Sequence, residues 1–353
     1  MMKKLTFLGG GSTGTAAAAY FAARGFDTTL CDTDAFASHF QDIEAMDGVL
    51  LRGMLRDIGR IGTLTHDFAQ AVHGAEAIFV NVVAARHEEI ARRIAPHLED
   101  GQHIVICPGN LGCFVFRRVF QELGVQADVT VSDLEGNLFP CRLTGKAETT
   151  IGTPFGPKGI AAYPRRDTQQ VIQALDGVMT LRPNRDVFEC AINSTNFVMH
   201  LGTTILSTAL ICHRGQQYNL FLEGLVPPAL ACSDQVDRER QAIISAMGLK
   251  AHATPLEFMT ALIHPEETPE LDVFRTLAGP YTIDHRYLTE DALCCGAFCV
   301  SVGRRLGLEA PLLTAFLTIA GVLTGQDYLK NGRTLENLGF APQLSYAEIA
   351  ASL

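Results

Sequence analysis

The chain has 353 residues, 47% hydrophobic and 19% charged, with 28 Lys+Arg against 38 Asp+Glu and a formal net charge of -10. This length and apolar content suit two globular domains of about 150–200 residues each and exclude long disorder. The acidic balance argues against nucleic acid as a partner, because a general binder needs a basic face to release counterions. No run of ~18 apolar residues offers a membrane span.

The first half alternates strands and helices. Residues 4–8, 28–31, 77–83 and 103–107 read as short apolar strands, and residues 13–24 as an Ala-rich helix. Strands separated by helices of this length predict parallel βαβ units. The expected fold over residues 1–185 is therefore an α/β, Rossmann-like, doubly wound parallel sheet. Residues 48–65 interrupt it as a hairpin-like excursion, and residues 129–163 look β-rich. Helical periodicity takes over in 186–353, predicting an all-α second domain with helices over 187–213, 228–247, 291–306 and 310–324 and a loop-rich patch over 266–289.

The ten cysteines form no CxxC pair and no zinc spacing, and Cys294, Cys295 and Cys299 lie in an apolar, helix-like stretch. No metal is expected; free buried thiols fit a reducing, cytoplasmic setting. Lys3 and Lys4 followed by small and apolar residues imitate a secretory signal, but Gly9, Gly10, Gly11 and Gly14 break the apolar run.

Gly9-Gly10-Gly11-Ser12-Thr13-Gly14 fits the G-x-G-x-x-G fingerprint, with an apolar strand before it and an alanine helix after it. Gly9 suits the tight turn, Gly11 a close approach of pyrophosphate to the backbone, and Gly14 close packing of helix on strand. Ser12 and Thr13 lie at the helix N-terminus, where free amides and the dipole favour phosphate. Asp32 ends the second strand, where a carboxylate accepts the ribose hydroxyls and repels a 2′-phosphate. No arginine follows it directly, so NAD is expected ahead of NADP. Val83 and Asn110 belong to loops after the third and fourth strands, which border the cofactor in such sheets.

In the second half, Asn193, Asn196, His200, Thr203, Thr204 and Ser207 fall at helical spacing among Phe197, Val198, Leu201 and Ile205. A polar stripe on an apolar helix must be hydrogen-bonded or face a wet cavity, and a histidine at its centre suits proton transfer coupled to hydride transfer. Asp284-His285-Arg286-Tyr287-Leu288-Thr289-Glu290-Asp291 is the other polar concentration. Thr289 reads there as a helix N-cap, with Glu290 and Asp291 in the first turn. Arg286 falls on the incoming loop, suited to a carboxylate.

The stretch 279–291 (GPYTIDHRYLTED) and Gly332-Arg333-Thr334-Leu335-Glu336 resemble the opine dehydrogenases of the octopine/nopaline dehydrogenase family. So do Asn193-x-x-Asn196-x-x-x-His200, Phe221-Leu222-Glu223-Gly224, Asp237-x-Glu239-Arg240 and the N-terminal fingerprint, so the resemblance spans nearly the whole chain. It implies an oxidoreductase acting on CH–NH donors that reductively joins the amino group of an amino acid to a 2-oxo acid, commonly pyruvate, with NADH or NADPH. It further implies His200 as acid/base, Asp291 as its orienting partner and Arg286 as the carboxylate clamp. Asn193 and Asn196 fall beside them. Two departures touch the substrate pocket: Leu201 stands where the family usually has proline, and Asp133 with Pro140-Cys141-Arg142 where it usually has Glu and Ala-Cys-Arg. Small-molecule substrates are the expected partners, with a homodimer left open.

Two rival readings share the architecture. A 2-hydroxy acid dehydrogenase of the ketopantoate reductase or glycerol-3-phosphate dehydrogenase type would, by resemblance, need a lysine early in the second domain, but no lysine occurs between Lys158 and Lys250. A non-catalytic NAD-binding sensor would have no need of the His200 acid/base.

Overall fold

The structure, a computed structural model, describes residues 3–353. The chain divides into two compact units, Met1–Cys190 and Ala191–Leu353.

The first unit begins with β1 (Lys4–Leu8), α1 (Ser12–Ala22), β2 (Asp27–Cys31) and α2 (Ala37–Ala45). It continues through β3 (Val49–Gly53), β4 (Asp57–Gly59), β5 (Thr63–Thr65), α3 (Phe68–Val72), β6 (Ala77–Val80), α4 (His87–Ile94) and β7 (His103–Ile106). Then follow α5 (Gly112–Glu122), β8 (Thr130–Leu134), β9 (Cys141–Gly145), β10 (Glu148–Ile151), β11 (Lys158–Ala162), α6 (Thr168–Ala174) and β12 (Leu181–Pro183). Eight strands form the main sheet in the order β12-β11-β8-β7-β6-β1-β2-β5. Its pairings are parallel except β11 against β8, an antiparallel edge on the expected parallel sheet. With β2 on one side of β1 and β6 on the other, the winding reverses at β1, and the carboxyl ends of β1 and β6 open the crevice where such sheets bind ligands.

The excursion over 48–65 has a packing purpose. β3 and β4 pair antiparallel, and β3 joins β10 and β9 in a second sheet, while β5 returns to the edge of the main sheet. A Cβ on Gly59 would lie 2.1 Å from the Ala19 carbonyl oxygen, so β4 presses directly on α1. Ala16, Ala17, Ala18 and Ala19 are fully buried. The alanine run therefore reflects a helix covered on opposite faces, where larger side chains would force the layers apart. Beneath it, Phe7, Phe21 and Phe79 stack with ring centroids 5.1–6.0 Å apart. Each such burial contributes roughly 1.5–3 kcal/mol.

The second unit is helical, entered through α7 (Val187–Asn193), which crosses the boundary. The expected helix over 187–213 is instead three pieces: α7, α8 (Asn196–Leu206) and α9 (Thr208–Arg214), with a 72° bend between 206 and 208. Hydroxyls explain that bend. Thr203 Oγ1 donates to Met199 O, and Thr208 Oγ1 to Ile205 O. Such back-bonding competes with the main-chain ladder and bends helices. There follow α10 (Pro227–Ala246), α11 (Pro255–Leu262), α12 (Asp272–Arg275), α13 (Arg286–Asp291), a π-helical turn over Ala292–Gly296, α14 (Ala297–Arg305) and α15 (Pro311–Thr324). Among the described residues, no single helix is long and apolar enough to cross a membrane.

Candidate active site

Backbone geometry prepares the loop between β1 and α1 for a phosphate. Gly9 has φ +120, and a Cβ there would lie 2.5 Å from the Asn81 carbonyl oxygen. A Cβ on Gly14 would come 1.9 Å from the Gly9 carbonyl oxygen, so helix and strand end meet only without a side chain. Gly11 is different, with nothing within 4 Å of its Cβ position. Open space therefore lies beside the first turn of α1, where amides and the helix dipole attract an anion. Asn81, in the loop after β6 that is expected to border the cofactor, adds a second signal. It is 9% exposed, and neither polar atom of its side chain has a hydrogen-bond partner among the described residues. A buried amide left unpaired is costly, so a ligand supplying its partners is favoured. The glycine loop and the orphaned amide together fit a dinucleotide.

Neighbouring side chains brace this loop. Ser12 Oγ accepts from the Leu143 amide at 3.1 Å, and the Cys141 thiol lies 3.9 Å from Thr13 Oγ1. Cys141, expected at the substrate pocket, is buried at the start of β9 and supports the phosphate loop. Asp133 is likewise placed underneath a loop. It is fully buried, its Oδ1 accepts from the Cys113 amide, and a Cβ on Gly109 would lie 2.3 Å from its own Cβ. It anchors the segment carrying Asn110, which has φ 51 and is followed by Leu111 at φ 64. Left-handed backbone in a branched residue such as leucine costs about 1–2 kcal/mol, so packing must hold it.

Asp32 ends β2 as expected, but it is 1% exposed and already supplied with donors. Its oxygens accept from the Gly10 and Thr33 amides, both at 2.7 Å. Arg86 adds Nη2 at 3.0 Å and Nη1 at 3.3 Å. The arginine absent after β2 is thus supplied from the turn after β6, which starts at the exposed Val83. Only tertiary structure joins positions 32 and 86.

In the second unit, α8 and α13 bring His200 and Asp291 together, with Nδ1 and Oδ2 2.9 Å apart and exposures of 6% and 5%. Tyr287, absent from the sequence reading of the site, stacks on the imidazole with ring centroids 3.7 Å apart and planes 13° from parallel. Burial pushes the Asp291 carboxyl up to about 7, while the Arg286 guanidinium pulls it down. The carboxylate expected beside the histidine is thus a carboxyl that burial holds near neutrality.

Helix α13 begins earlier than the motif suggests. Its N-cap is His285, whose Nδ1 accepts from the Tyr287 amide, and Thr289 Oγ1 donates back to His285 O from inside the helix. Glu290 and Asp291 therefore end this helix and do not sit in its first turn. Arg286 occupies the first helical position, not a loop, with its guanidinium 5.3 Å from the Tyr287 ring centroid and 4.0 Å from Glu290.

The rest of the polar stripe divides by use. Asn193 Oδ1 accepts from the His252 amide at 2.9 Å and Nδ2 donates to Lys250 O at 3.5 Å, so its side chain is spent on that loop. Asn196, half-buried one turn before His200, makes no side-chain hydrogen bond among the described residues. Two other motifs are scaffolding. The fully buried Arg240 ties Asp237 to the carbonyls of Ile192 and Ala253, and Glu239 accepts from Leu312 and Leu313 at the start of α15. Gly332 packs a Cβ position 2.4 Å from Ala297, and Arg333 N donates to Leu293 O. That motif thus secures the π-helical turn directly after Asp291.

Residues 183–324 match the family sequence model described as NAD/NADP octopine/nopaline dehydrogenase, alpha-helical domain. An opine dehydrogenase of Arthrobacter sp. (strain 1C) is 29% identical over 348 residues, which is 96% of this chain and 96% of that protein. An octopine dehydrogenase structure with NADH and L-arginine superposes with a TM-score of 0.70 at 18% identity, over 100% of this chain and 98% of that one. A ketopantoate reductase of Ralstonia eutropha JMP134 reaches a TM-score of 0.59 at 16% identity, covering 91% and 98%, so the fold alone does not separate the rival chemistries. The helical-domain match and the full-length relative both fall on the opine dehydrogenase side of that division, and the matched residues 183–324 contain His200, Arg286 and Asp291.

Proposed function

We propose that the chain condenses the amino group of an amino acid with a 2-oxo acid, pyruvate first, and reduces the product to a secondary amine at the expense of NAD(P)H. The buried His200–Asp291 pair, faced by Tyr287 and sharing α13 with Arg286, carries this reading. Arg286 takes the 2-oxo acid's carboxylate through paired N–H···O bonds, which orients the carbonyl. Nδ1 of His200 is engaged by Asp291, so Nε2 exchanges protons with the substrate. It gives a proton to the carbonyl oxygen as amine attack and loss of water form the imine. In the reverse direction it accepts the proton of the secondary amine. Bound NAD(P)H supplies the hydride that reduces the imine carbon. Gly9, Gly11, Ser12, Thr13 and Gly14 hold the cofactor's phosphates, with Asp32 bracing the loop through the Gly10 amide and Val83, Asn81 and Asn110 at the border. Asn196 offers its amide to the substrate from His200's own helix face.

Pyruvate as the first 2-oxo acid is supported by an octopine dehydrogenase structure described with NADH and pyruvate, which has this fold. Ten free cysteines fit a reducing, cytoplasmic compartment. The deciding experiment is an NADH-oxidation screen of pyruvate against a panel of amino acids, with mass spectrometry of the product. Oxidation should require both substrates and give a mass equal to their sum, minus water, plus two hydrogens. Oxidation by a 2-oxo acid alone, yielding a 2-hydroxy acid, would return the assignment to the ketopantoate reductase type.

A further inference from the structure

The contact between Asp32 and Arg86 bears on how the adenosine end of the cofactor is read. A carboxylate has about four lone-pair positions. At Asp32 two are taken by the Gly10 and Thr33 amides and two by the Arg86 guanidinium. The carboxylate cannot serve as a free acceptor for ribose hydroxyls while Arg86 holds it. Its charge is also compensated locally. Arg86 bonds Glu89 as well, at 3.0 Å, and Glu89 in turn bonds Arg93 at 2.9 Å. Two carboxylates thus face two guanidiniums, and the repulsion that a bare aspartate would exert on a 2′-phosphate is cancelled. Arg86 itself is 27% exposed while Asp32 is 1% exposed, so the guanidinium is the member of the pair with access to an incoming nucleotide.

Accepting that the first unit binds NAD(P), we propose that Arg86 is the specificity-determining residue for the 2′ position and admits NADPH alongside NADH. With NADPH, the guanidinium turns part of its donor fork from Asp32 to the phosphate, which accepts a bidentate contact. With NADH, Arg86 stays on Asp32 and the ribose hydroxyls meet the pair as a neutral unit. Asp32, which alone would enforce NAD, acts here as a resting place for the arginine.

Binding of free nucleotides tests this independently of the condensation reaction, so its failure would leave the proposed chemistry untouched. Dissociation constants for NADH and NADPH, measured by fluorescence titration on the full-length protein, should differ by no more than about tenfold. Arg86→Ala should weaken NADPH by about 10–100-fold, the loss of one charge-assisted fork, while changing NADH by about threefold or less. The same contrast should appear with ADP and its 2′-phosphorylated form as competitors. Arg86→Lys, which keeps the charge without the fork, should fall between Arg86→Ala and the native protein; if Arg86→Ala fails to fold, this variant carries the test. Equal weakening of both nucleotides by either substitution, or native NADH binding more than about a hundredfold tighter than NADPH, would overturn the assignment.

Discussion

Asp32 and Asp291 are buried to a similar degree, at 1% and 5% exposure, yet their surroundings differ in the one respect that decides what a carboxylate does. Asp32 has two main-chain amides and a guanidinium on its oxygens, so its charge is matched where it sits. Asp291 has His200, and burial pushes its carboxyl up to about 7. A carboxylate saturated with donors is an anchor. One that burial has brought near neutrality can share a proton with a neighbour within the working pH range. Each unit holds one kind, and the substitutions that follow should expose the contrast.

The largest effect belongs to the second kind. His200→Ala should lower turnover by about 10²–10⁴-fold, the usual loss of a positioned acid/base. NADH affinity should change little, because the glycine loop and Asp32 belong to the other unit. Steady-state kinetics with the best substrate pair, alongside nucleotide titration, check both parts. Near-normal turnover would reduce the pair to a structural contact.

Replacing each aspartate by its amide should then separate anchor from proton holder. In Asp32→Asn, one oxygen becomes an NH₂ group facing donors, so about 1.5–3 kcal/mol of stability should be lost at every pH near neutrality. Asp291→Asn should behave differently. The folded value near 7 lies above the usual carboxylate value of 3.8, so the native state holds this proton more tightly than the unfolded chain. The stability it contributes is complete below about pH 3.8 and is lost as pH rises through about 7. The neutral amide escapes that loss and should gain relative to native protein between pH 5 and pH 8, while turnover falls. Urea midpoints at the two pH values read this directly. A constant offset between variant and native would mean that Asp291 keeps its charge throughout.

The two glycines of the loop come next. Gly14→Ala would force a Cβ to within 1.9 Å of the Gly9 carbonyl oxygen, and backbone cannot yield as a side-chain tip can. A loss of about 1–3 kcal/mol is expected, together with nucleotide binding. Gly11→Ala has an unobstructed Cβ, so stability should stay within about 0.5 kcal/mol while nucleotide affinity falls. Thermal melts with and without NADH distinguish a packing glycine from a binding one.

These contrasts also explain what was legible in the residues alone. The glycine loop is a local object, with its strand, turn and helix contiguous, and its spacing carries the geometry. The alanine run announced a helix for the same reason, while its burial on opposite faces emerged only from β4 and the second sheet packed against it. The partnership of 200 with 291 rested on resemblance, since periodicity could place each residue on a helix but not the two helices side by side. Position alone puts residues 81–87 beside the cofactor, but the roles of Arg86 and Asn81 lie in what they touch: Arg86 reaches 54 positions back, and Asn81 shows itself only through an amide without partners among the described residues. Asn193 misled for the converse reason. It has the spacing of a site residue, but the chain folds a later loop onto its amide.

The smallest effect should come from Tyr287, and it tests whether His200 is held as well as placed. A ring stacked 3.7 Å from the imidazole leaves it little freedom to turn, so Nε2 keeps one direction while Nδ1 is tied to Asp291. The same ring lies beneath the Arg286 guanidinium, 5.3 Å from its centroid. Aromatic contacts of this sort contribute about 0.5–1.5 kcal/mol beyond area burial. Tyr287→Leu should therefore lower turnover by about two- to tenfold and raise the Michaelis constant for the 2-oxo acid by a similar or smaller factor, as histidine and arginine both loosen. Tyr287→Phe keeps the ring and should restore both values. If the phenylalanine variant were as impaired as the leucine one, the hydroxyl rather than the stacked face would be what the site uses, and Tyr287 would have to be counted among the groups that exchange protons.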